Sequence, residues 1–185
     1  MPYHVSAVSG LTVLKPQVSS HGKAYVYAAE NLVTGLLFGA PHDDFDFLID
    51  EDAGRPALYE CYPHAFDAVF EKRACSVYEV PSSGFQKEAT CWSAELVCET
   101  EVPVLKEWQV PNLRDRLLEE AARNRLTLNR FEDTLDYKRM VSEHIVDRLI
   151  RFDALERLET DARFQAHYRR IIEALRAAMD GSLLE

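Results

Sequence analysis

The sequence predicts an α+β protein with a helical appendage at its C-terminal end. Up to about residue 110, short apolar runs rich in β-branched and aromatic residues alternate with turn signals, which is typical of strands. After Pro111 the apolar residues recur at helical spacing instead. We therefore expect two regions, an α+β domain over residues 1–110 and a helical appendage over residues 111–185.

Eight runs in the first region have the length and composition of strands. They cover residues 3–6, 11–14, 24–28, 45–49, 57–62, 75–80, 95–98 and 103–110. Residues 50–56 follow the fourth run, and their acidic, Gly and Pro content predicts a polar hairpin loop. Together with Asp43, Asp44 and Asp46, this loop has a second interpretation as a cation site. It lacks the glycine position and terminal glutamate of a calcium loop, so we favour the hairpin.

Helical spacing marks two segments in the first region and three in the second. Residues 30–39 end at Gly39 and Pro41, and residues 64–70 are short and amphipathic. The later helices have apolar stripes made of Leu113, Leu117 and Leu118; of Tyr137, Met140, Val141, His144, Ile145 and Leu149; and of Phe164, Tyr168, Ile171, Ile172, Leu175 and Met179. The third also carries a basic flank, which indicates either a solvated face or a docking surface for an acidic protein partner. The flank consists of Arg163, Arg169, Arg170 and Arg176.

The formal net charge of −10 is concentrated in the first region. Residues 1–110 carry 7 basic and 16 acidic side chains, whereas residues 111–185 carry 14 and 15. A negative surface of this kind repels phosphate backbones and disfavours a long nucleic acid as partner.

The sequence predicts a cytoplasmic protein that does not associate with membranes. No apolar stretch approaches the ~20 residues that cross a bilayer, and no secretory signal pattern opens the chain. Cys61, Cys75 and Cys98 lie inside apolar runs, which indicates buried, reduced thiols.

Three residue types occur in an order that carries chemical meaning. A histidine, His4, lies in the first run, the tyrosines of Tyr25-Val26-Tyr27 lie in the third, and a glutamate follows in Trp92-Ser93-Ala94-Glu95. With Gly10-Leu11 and Leu14-Lys15-Pro16, this region resembles the diphtheria-toxin-like ADP-ribosyltransferases, above all the rifampin ADP-ribosyltransferases and small bacterial proteins that open on a tyrosine-histidine-glycine-serine or -threonine sequence. The resemblance covers residues 1–110, and its motifs are short.

This resemblance implies a split β-sandwich of the ADP-ribosyltransferase type that uses NAD as co-substrate. The enzyme would cleave the nicotinamide–ribose bond and transfer ADP-ribose to an unknown acceptor. Glu95 would be the catalytic carboxylate, stabilising an oxocarbenium-like transition state. Ser93, two residues earlier on the same strand face, would brace that carboxylate or the ribose, and Trp92 would form a wall of the pocket.

The resemblance also implies how NAD is bound. His4 would hydrogen-bond a ribose hydroxyl, and the backbone of Val5 would hold the nicotinamide amide. Tyr27 would stack on the nicotinamide ring, with Tyr25 as the alternative because both tyrosines point to one face of a strand. Val5 stands where the family has glycine, and its branched side chain is expected to crowd the nicotinamide end of the pocket.

Two other functions stay open at this point. The first is a non-catalytic binding or adaptor protein with a degenerate fold of the same type, acting through its C-terminal helices. It predicts an exposed apolar stripe at Tyr168, Ile172 and Leu175. The second is an RNA 2′-phosphotransferase-like enzyme, which needs a basic cleft. Lysines and arginines of the first region form no evident cluster, so we rank this function last.

Overall fold

The computed structural model describes residues 1–18, 23–52, 54–87 and 94–169, which form an α+β protein. The strands in this part of the chain are β1 (Tyr3–Ser6), β2 (Val13–Leu14), β3 (Gln17–Val18), β4 (Ala24–Ala29), β5 (Phe47–Asp52), β6 (Arg55–Glu60), β7 (Cys75–Glu79), β8 (Glu95–Cys98), β9 (Val102–Pro103), β10 (Lys106–Val110) and β11 (Thr127–Asn129). The helices are α1 (Leu32–Leu37), α2 (Ala65–Phe70), α3 (Leu113–Ala122), α4 (Leu135–Arg151), α5 (Arg157–Thr160) and α6 (Ala162–His167).

These elements confirm most of the predicted strands and helices. Strand β3 and helix α5 match no predicted run, and two further differences depend on tertiary contacts. The run at 103–110 is divided between β9 and β10, because Val104 N–H bonds to Thr12 O while Leu105 N–H bonds to Glu79 O. The chain thus changes partner between these two residues. The second difference is β11, which lies in the region predicted to be helical.

The largest sheet in the described chain has the strand order β10-β7-β1-β4-β3, with β8 also paired to β4. All of its pairs are antiparallel. Because Ala29 pairs with both Tyr3 and Glu95, strands β1 and β8 lie on opposite sides of β4. Strand β4 is therefore central, and α1 begins three residues after it ends.

The two faces of this sheet bury different apolar clusters. On one face, Val26, Ala28 and Tyr78 pack together with residues of β2 and β9. On the other face, Val77 belongs to a larger core that includes α1, and Val5 packs against it. Successive side chains of a strand point to opposite faces. The cluster to which one residue of a strand belongs therefore gives the face of the other residues in that strand.

The helical region shares the larger core with the first region. Leu117, Ile145 and Phe164 lie in the same buried cluster as Leu36 and Phe47. Strand β11 joins the second sheet, in the order β11-β6-β5, by pairing in parallel with β6. The predicted division at residue 110 therefore does not separate two cores, because the apolar stripes of α3 and α4 are buried against the first region.

A cluster of ion pairs fastens α5 and α6 to the loop after α1. Arg163 lies 3.0 Å from Asp43, 2.7 Å from Asp46 and 2.7 Å from Asp161. Arg157 pairs with Asp43 at 2.9 Å. Arg148 lies 3.0 Å from Asp44, so arginines neutralise all three aspartates that had a second interpretation as a cation site. Arg163 of the basic flank is thus engaged within the chain.

Three further expectations concern the membrane, the hairpin and the thiols. No helix in the described residues is long and apolar enough to cross a bilayer. Strands β5 and β6 pair as a hairpin, but its turn is shorter than predicted, because residues 50–52 and 55–56 of the predicted loop belong to the strands and Asp52 lies opposite Arg55. Cys61, Cys75 and Cys98 are buried free thiols, which confirms the prediction, and burial raises the pKa of Cys75 to about 11.

Candidate functional site

Tyr27 and Glu95 lie on the same face of neighbouring strands. In the antiparallel pair of β4 and β8, Tyr27 is opposite Val97 and Ala29 is opposite Glu95. Residues opposite each other share a face, and so do residues two apart, which makes Tyr27 and Glu95 a diagonal pair. Diagonal neighbours lie about 7–8 Å apart, with their Cβ atoms somewhat closer, so an aromatic ring and a carboxylate can contact one small ligand.

The exposure of the two tyrosines of β4 distinguishes their roles. Their rings meet edge to face with centroids 5.9 Å apart, which places both on this face, as predicted. Tyr25 is buried at 2% exposure, whereas Tyr27 is partly exposed. Tyr27 is therefore the tyrosine whose ring a ligand can reach.

His4 joins β1 to β4 through its side chain. Its Nδ1 atom lies 2.7 Å from the carbonyl oxygen of Tyr27. A carbonyl only accepts, so Nδ1 carries the proton and donates it. Burial lowers the pKa of His4, against the opposing effect of this hydrogen bond, so the imidazole is neutral near pH 7. Its Nε2 atom is then an acceptor. The side chain of His4 thus adds a hydrogen bond between β1 and β4, in which Tyr3 lies opposite Ala29.

His4 and Tyr27 nevertheless direct their side chains to opposite faces of the sheet. His4 is opposite Tyr78 in the pair of β1 and β7, so both share one face. Tyr78 packs with Val26 and Ala28, and Tyr27, which lies between these two residues, must point the other way. The expectation that His4, Tyr27 and Glu95 line one cleft is therefore not met. The cause is the register between β1 and β4. Because Tyr3 lies opposite Ala29, His4 points to the same face as Ala28 and not to that of Tyr27.

Val5 packs against helix α1. A Cβ atom placed on Gly35 of α1 would lie 3.2 Å from Val5 Cγ2 and 3.5 Å from Tyr3 Cβ. The helix thus approaches β1 closely because Gly35 has no side chain, and the valine methyls fill the space. The branched side chain of Val5, which was expected to crowd a ligand, contacts the core instead.

Two backbone and side-chain contacts close the end of the β4–β8 pair. Glu30 N–H donates to Ala94 O at 3.3 Å, and Lys87 Nζ lies 3.1 Å from Glu30 Oε1. The ammonium group of Lys87 therefore lies beside Glu30, the first residue after β4. The predicted wall and bracing residues, Trp92 and Ser93, lie outside the described residues.

A second row of polar side chains, which was not predicted from the sequence, joins His4 to Tyr78 and Glu107 on the opposite face. His4 is opposite Tyr78, and Tyr78 is opposite Glu107 of β10. Tyr78 Oη lies 3.2 Å from Glu107 Oε1, and the rings of His4 and Tyr78 have centroids 6.0 Å apart. In the sequence, each of these residues lies inside a short strand-like run, as many other residues do. That position alone does not indicate that the three side chains meet.

In the described part of the chain, no group of three or more His, Cys, Asp or Glu side chains has a metal-binding arrangement. Comparison with protein-family models, with curated proteins and with solved structures gave no match to this chain. The geometry of the β4–β8 face is therefore the main indication of function.

Acidification is expected to remove the stabilising contribution of His4. Its folded pKa lies below the ordinary value, 6.5, so the unfolded chain takes up a proton first as the pH falls. The contribution is complete above about pH 6.5 and is lost as the pH falls through the folded pKa. Urea unfolding of the wild type and of His4→Gln at pH 7.5 and 5.5 checks this. The advantage of the wild type should shrink at pH 5.5, and an equal or larger advantage there would contradict it.

Proposed function

We propose that this protein binds NAD on the β4–β8 face and transfers its ADP-ribose group to an acceptor. The observation that carries the proposal is the placement of Tyr27 and Glu95 side by side on neighbouring strands. The central strand that leads directly into a helix and the second, separate sheet support a split β-sandwich of the ADP-ribosyltransferase type. The reduced thiols of the described chain support a cytoplasmic site of action.

Tyr27 and Glu95 have different roles in this reaction. The ring of Tyr27 stacks on the nicotinamide, and the carboxylate of Glu95 stabilises positive charge at the ribose carbon as its bond to nicotinamide breaks. The bonding electron pair leaves with nicotinamide. The acceptor nucleophile then bonds to the same carbon and loses its proton, which Glu95 accepts.

His4 has a positioning task in this proposal rather than the predicted contact with ribose. Its imidazole bonds to the carbonyl of Tyr27 and holds the backbone that carries the stacking ring. Val5 likewise has a structural role, because its side chain packs against α1.

A second candidate is the non-catalytic binding or adaptor protein. It is favoured by the separation of His4 from Tyr27 and Glu95, which leaves the cleft without its third expected member. The adaptor requires an exposed apolar stripe that includes Tyr168. This residue is only 3% exposed and its hydroxyl donates to Phe45 O at 2.8 Å, which argues against such a stripe. Ile172 and Leu175 lie outside the described residues.

Thermal unfolding in the presence of NAD distinguishes the two candidates. A ligand at about 100 times its dissociation constant stabilises the folded state by roughly 2.7 kcal/mol, so saturating NAD should raise the Tm of the wild type. Tyr27→Ala should lose most of this increase because the stacking ring is gone. Tyr59→Ala, which changes a tyrosine of β6 in the other sheet, should keep it. No increase for the wild type would contradict the proposal and leave the adaptor ahead.

A further inference from the structure

The segment between β1 and β2 crosses the face of the sheet that holds His4. We define residues 7–11 as the strap. Its first four residues are exposed, including Val8 at 57%, and Leu11 packs against the smaller apolar cluster. A segment with so little buried apolar surface has low local stability, so polar contacts must hold it in place.

Three side chains of the sheet supply those contacts, and the first is Ser6, whose Oγ accepts from Val8 N–H at 3.1 Å. Tyr78 Oη donates to Val8 O at 2.7 Å and accepts from Leu11 N–H at 3.4 Å. The carboxylate of Glu107 accepts from Gly10 N–H, with distances of 3.0 and 3.1 Å to its two oxygens. This last bond is the principal cause of a lowered pKa at Glu107, so the carboxylate is charged at neutral pH.

The geometry of the strap suits local opening. Gly10 has φ +78°, a left-handed conformation that glycine adopts freely, and nothing lies within 4 Å of a Cβ placed there. The chain on either side is fixed independently: Ser6 pairs with Ser76, and Thr12 O accepts from Val104 N–H. The strap can thus leave the sheet without unpairing β1 or the strands beyond it.

We propose that the strap opens and closes over the row formed by His4, Tyr78 and Glu107, with Tyr78 and Glu107 as its latch. The closed strap covers the outer ends of Tyr78 and Glu107. The open strap gives solvent and small reagents access to the imidazole of His4, which lies beside Tyr78 and holds the carbonyl of Tyr27. The latch contacts do not depend on the proposed function, because Tyr78 and Glu107 lie on the opposite face of the sheet from Tyr27 and Glu95.

Hydrogen exchange and chemical modification of His4 test the latch together. In Glu107→Ala, exchange of the Gly10 amide should be about 10- to 100-fold faster, since a charge-assisted hydrogen bond is lost. Carbethoxylation of His4 by diethyl pyrocarbonate, measured by mass spectrometry of its peptide, should accelerate as well. Modification of the exposed His64 in the same sample should keep its rate.

Two matched variants make the outcome specific. Gln109→Ala removes an exposed side chain of the same strand and should behave as the wild type. Tyr78→Phe keeps the buried ring but removes its hydroxyl, so it should also accelerate Gly10 exchange and His4 modification. This variant provides the same test should Glu107→Ala fail to fold. An unchanged Gly10 amide or an unchanged His4 rate would overturn the proposal. Equal acceleration of the amides of β7 and β10 would also overturn it, because the sheet rather than the strap would be opening.

Discussion

Replacing Glu95 by glutamine is expected to lower the rate of nicotinamide release from NAD by about 10²- to 10³-fold. Glutamine has nearly the same shape as glutamate but lacks the negative charge. The loss therefore reports the stabilisation of positive charge at the ribose carbon and not the filling of space. The initial rate of nicotinamide release, with saturating NAD and cell extract as the source of acceptor, measures this effect.

The Glu95 prediction has a matched control on the same stretch of chain. Glu101 is exposed and pairs with Lys15 at 3.6 Å, beyond the end of β8. Glu101→Gln removes one negative charge at the surface and should leave the rate within about twofold, because exposed ion pairs contribute little. Equal rates for Glu95→Gln and the wild type would remove Glu95 from the reaction. A parallel loss in both variants would indicate a general effect of charge.

Replacing Glu60 by alanine is expected to lower the free energy of unfolding by about 2–4 kcal/mol, because a buried donor left without its acceptor costs about 1–3 kcal/mol and Glu60 accepts from two backbone N–H groups. Glu60 is 2% exposed at the end of β6. Its carboxylate accepts from Phe66 N–H and Phe131 N–H, each at 2.8 Å, and from Arg130 at 3.0 Å. Alanine would leave one buried backbone donor, one partly buried backbone donor and one guanidinium group without this acceptor.

The role of Glu60 at α2 explains why the effect should be large. His64 precedes that helix with φ 64° and makes no side-chain capping bond, so Glu60 supplies the acceptor for its first turn. Urea unfolding measures the change. The control is Glu71→Ala, an exposed residue at the other end of α2, which should change stability by less than about 0.5 kcal/mol. Similar losses for the two variants would contradict this account of Glu60.

Local patterns were sufficient to predict the strands and helices that carry the candidate site. The apolar, aromatic run of residues 24–28 and the helical spacing after Glu30 both depend on neighbours in sequence, and they predicted β4 and α1. The shared face of Tyr25 and Tyr27 follows from the period of a strand in the same way. The preference for Tyr27 over Tyr25 did not follow, because burial of Tyr25 depends on distant parts of the chain.

The face occupied by His4 could not be predicted, because it depends on the register between strands that are far apart in sequence. A shift of one residue in the pairing of Tyr3 with Ala29 would reverse the parity of His4 relative to Tyr27. The row of His4, Tyr78 and Glu107 has the same origin, since it is assembled from three strands separated by long stretches of chain.

Strand β11 shows a third kind of dependence on tertiary structure. Thr127, Leu128 and Asn129 have no clear period, and they become a strand because β6 offers an unpaired edge where Leu128 lies beside Leu58. The common core of the two regions was likewise not predictable, because the sequence shows that a helix has an apolar stripe but not which surface buries it.

The most direct test of the central claim follows the fate of NAD labelled on its adenylate half. Wild-type protein is incubated with the labelled NAD in cell extract, and free nicotinamide and the labelled products are measured together. We predict that nicotinamide is released and that the label becomes attached to an acceptor, which the labelled species then identifies. Intact NAD after prolonged incubation with folded protein, with no label transferred, would contradict the proposal that the face of Tyr27 and Glu95 performs ADP-ribosyl transfer.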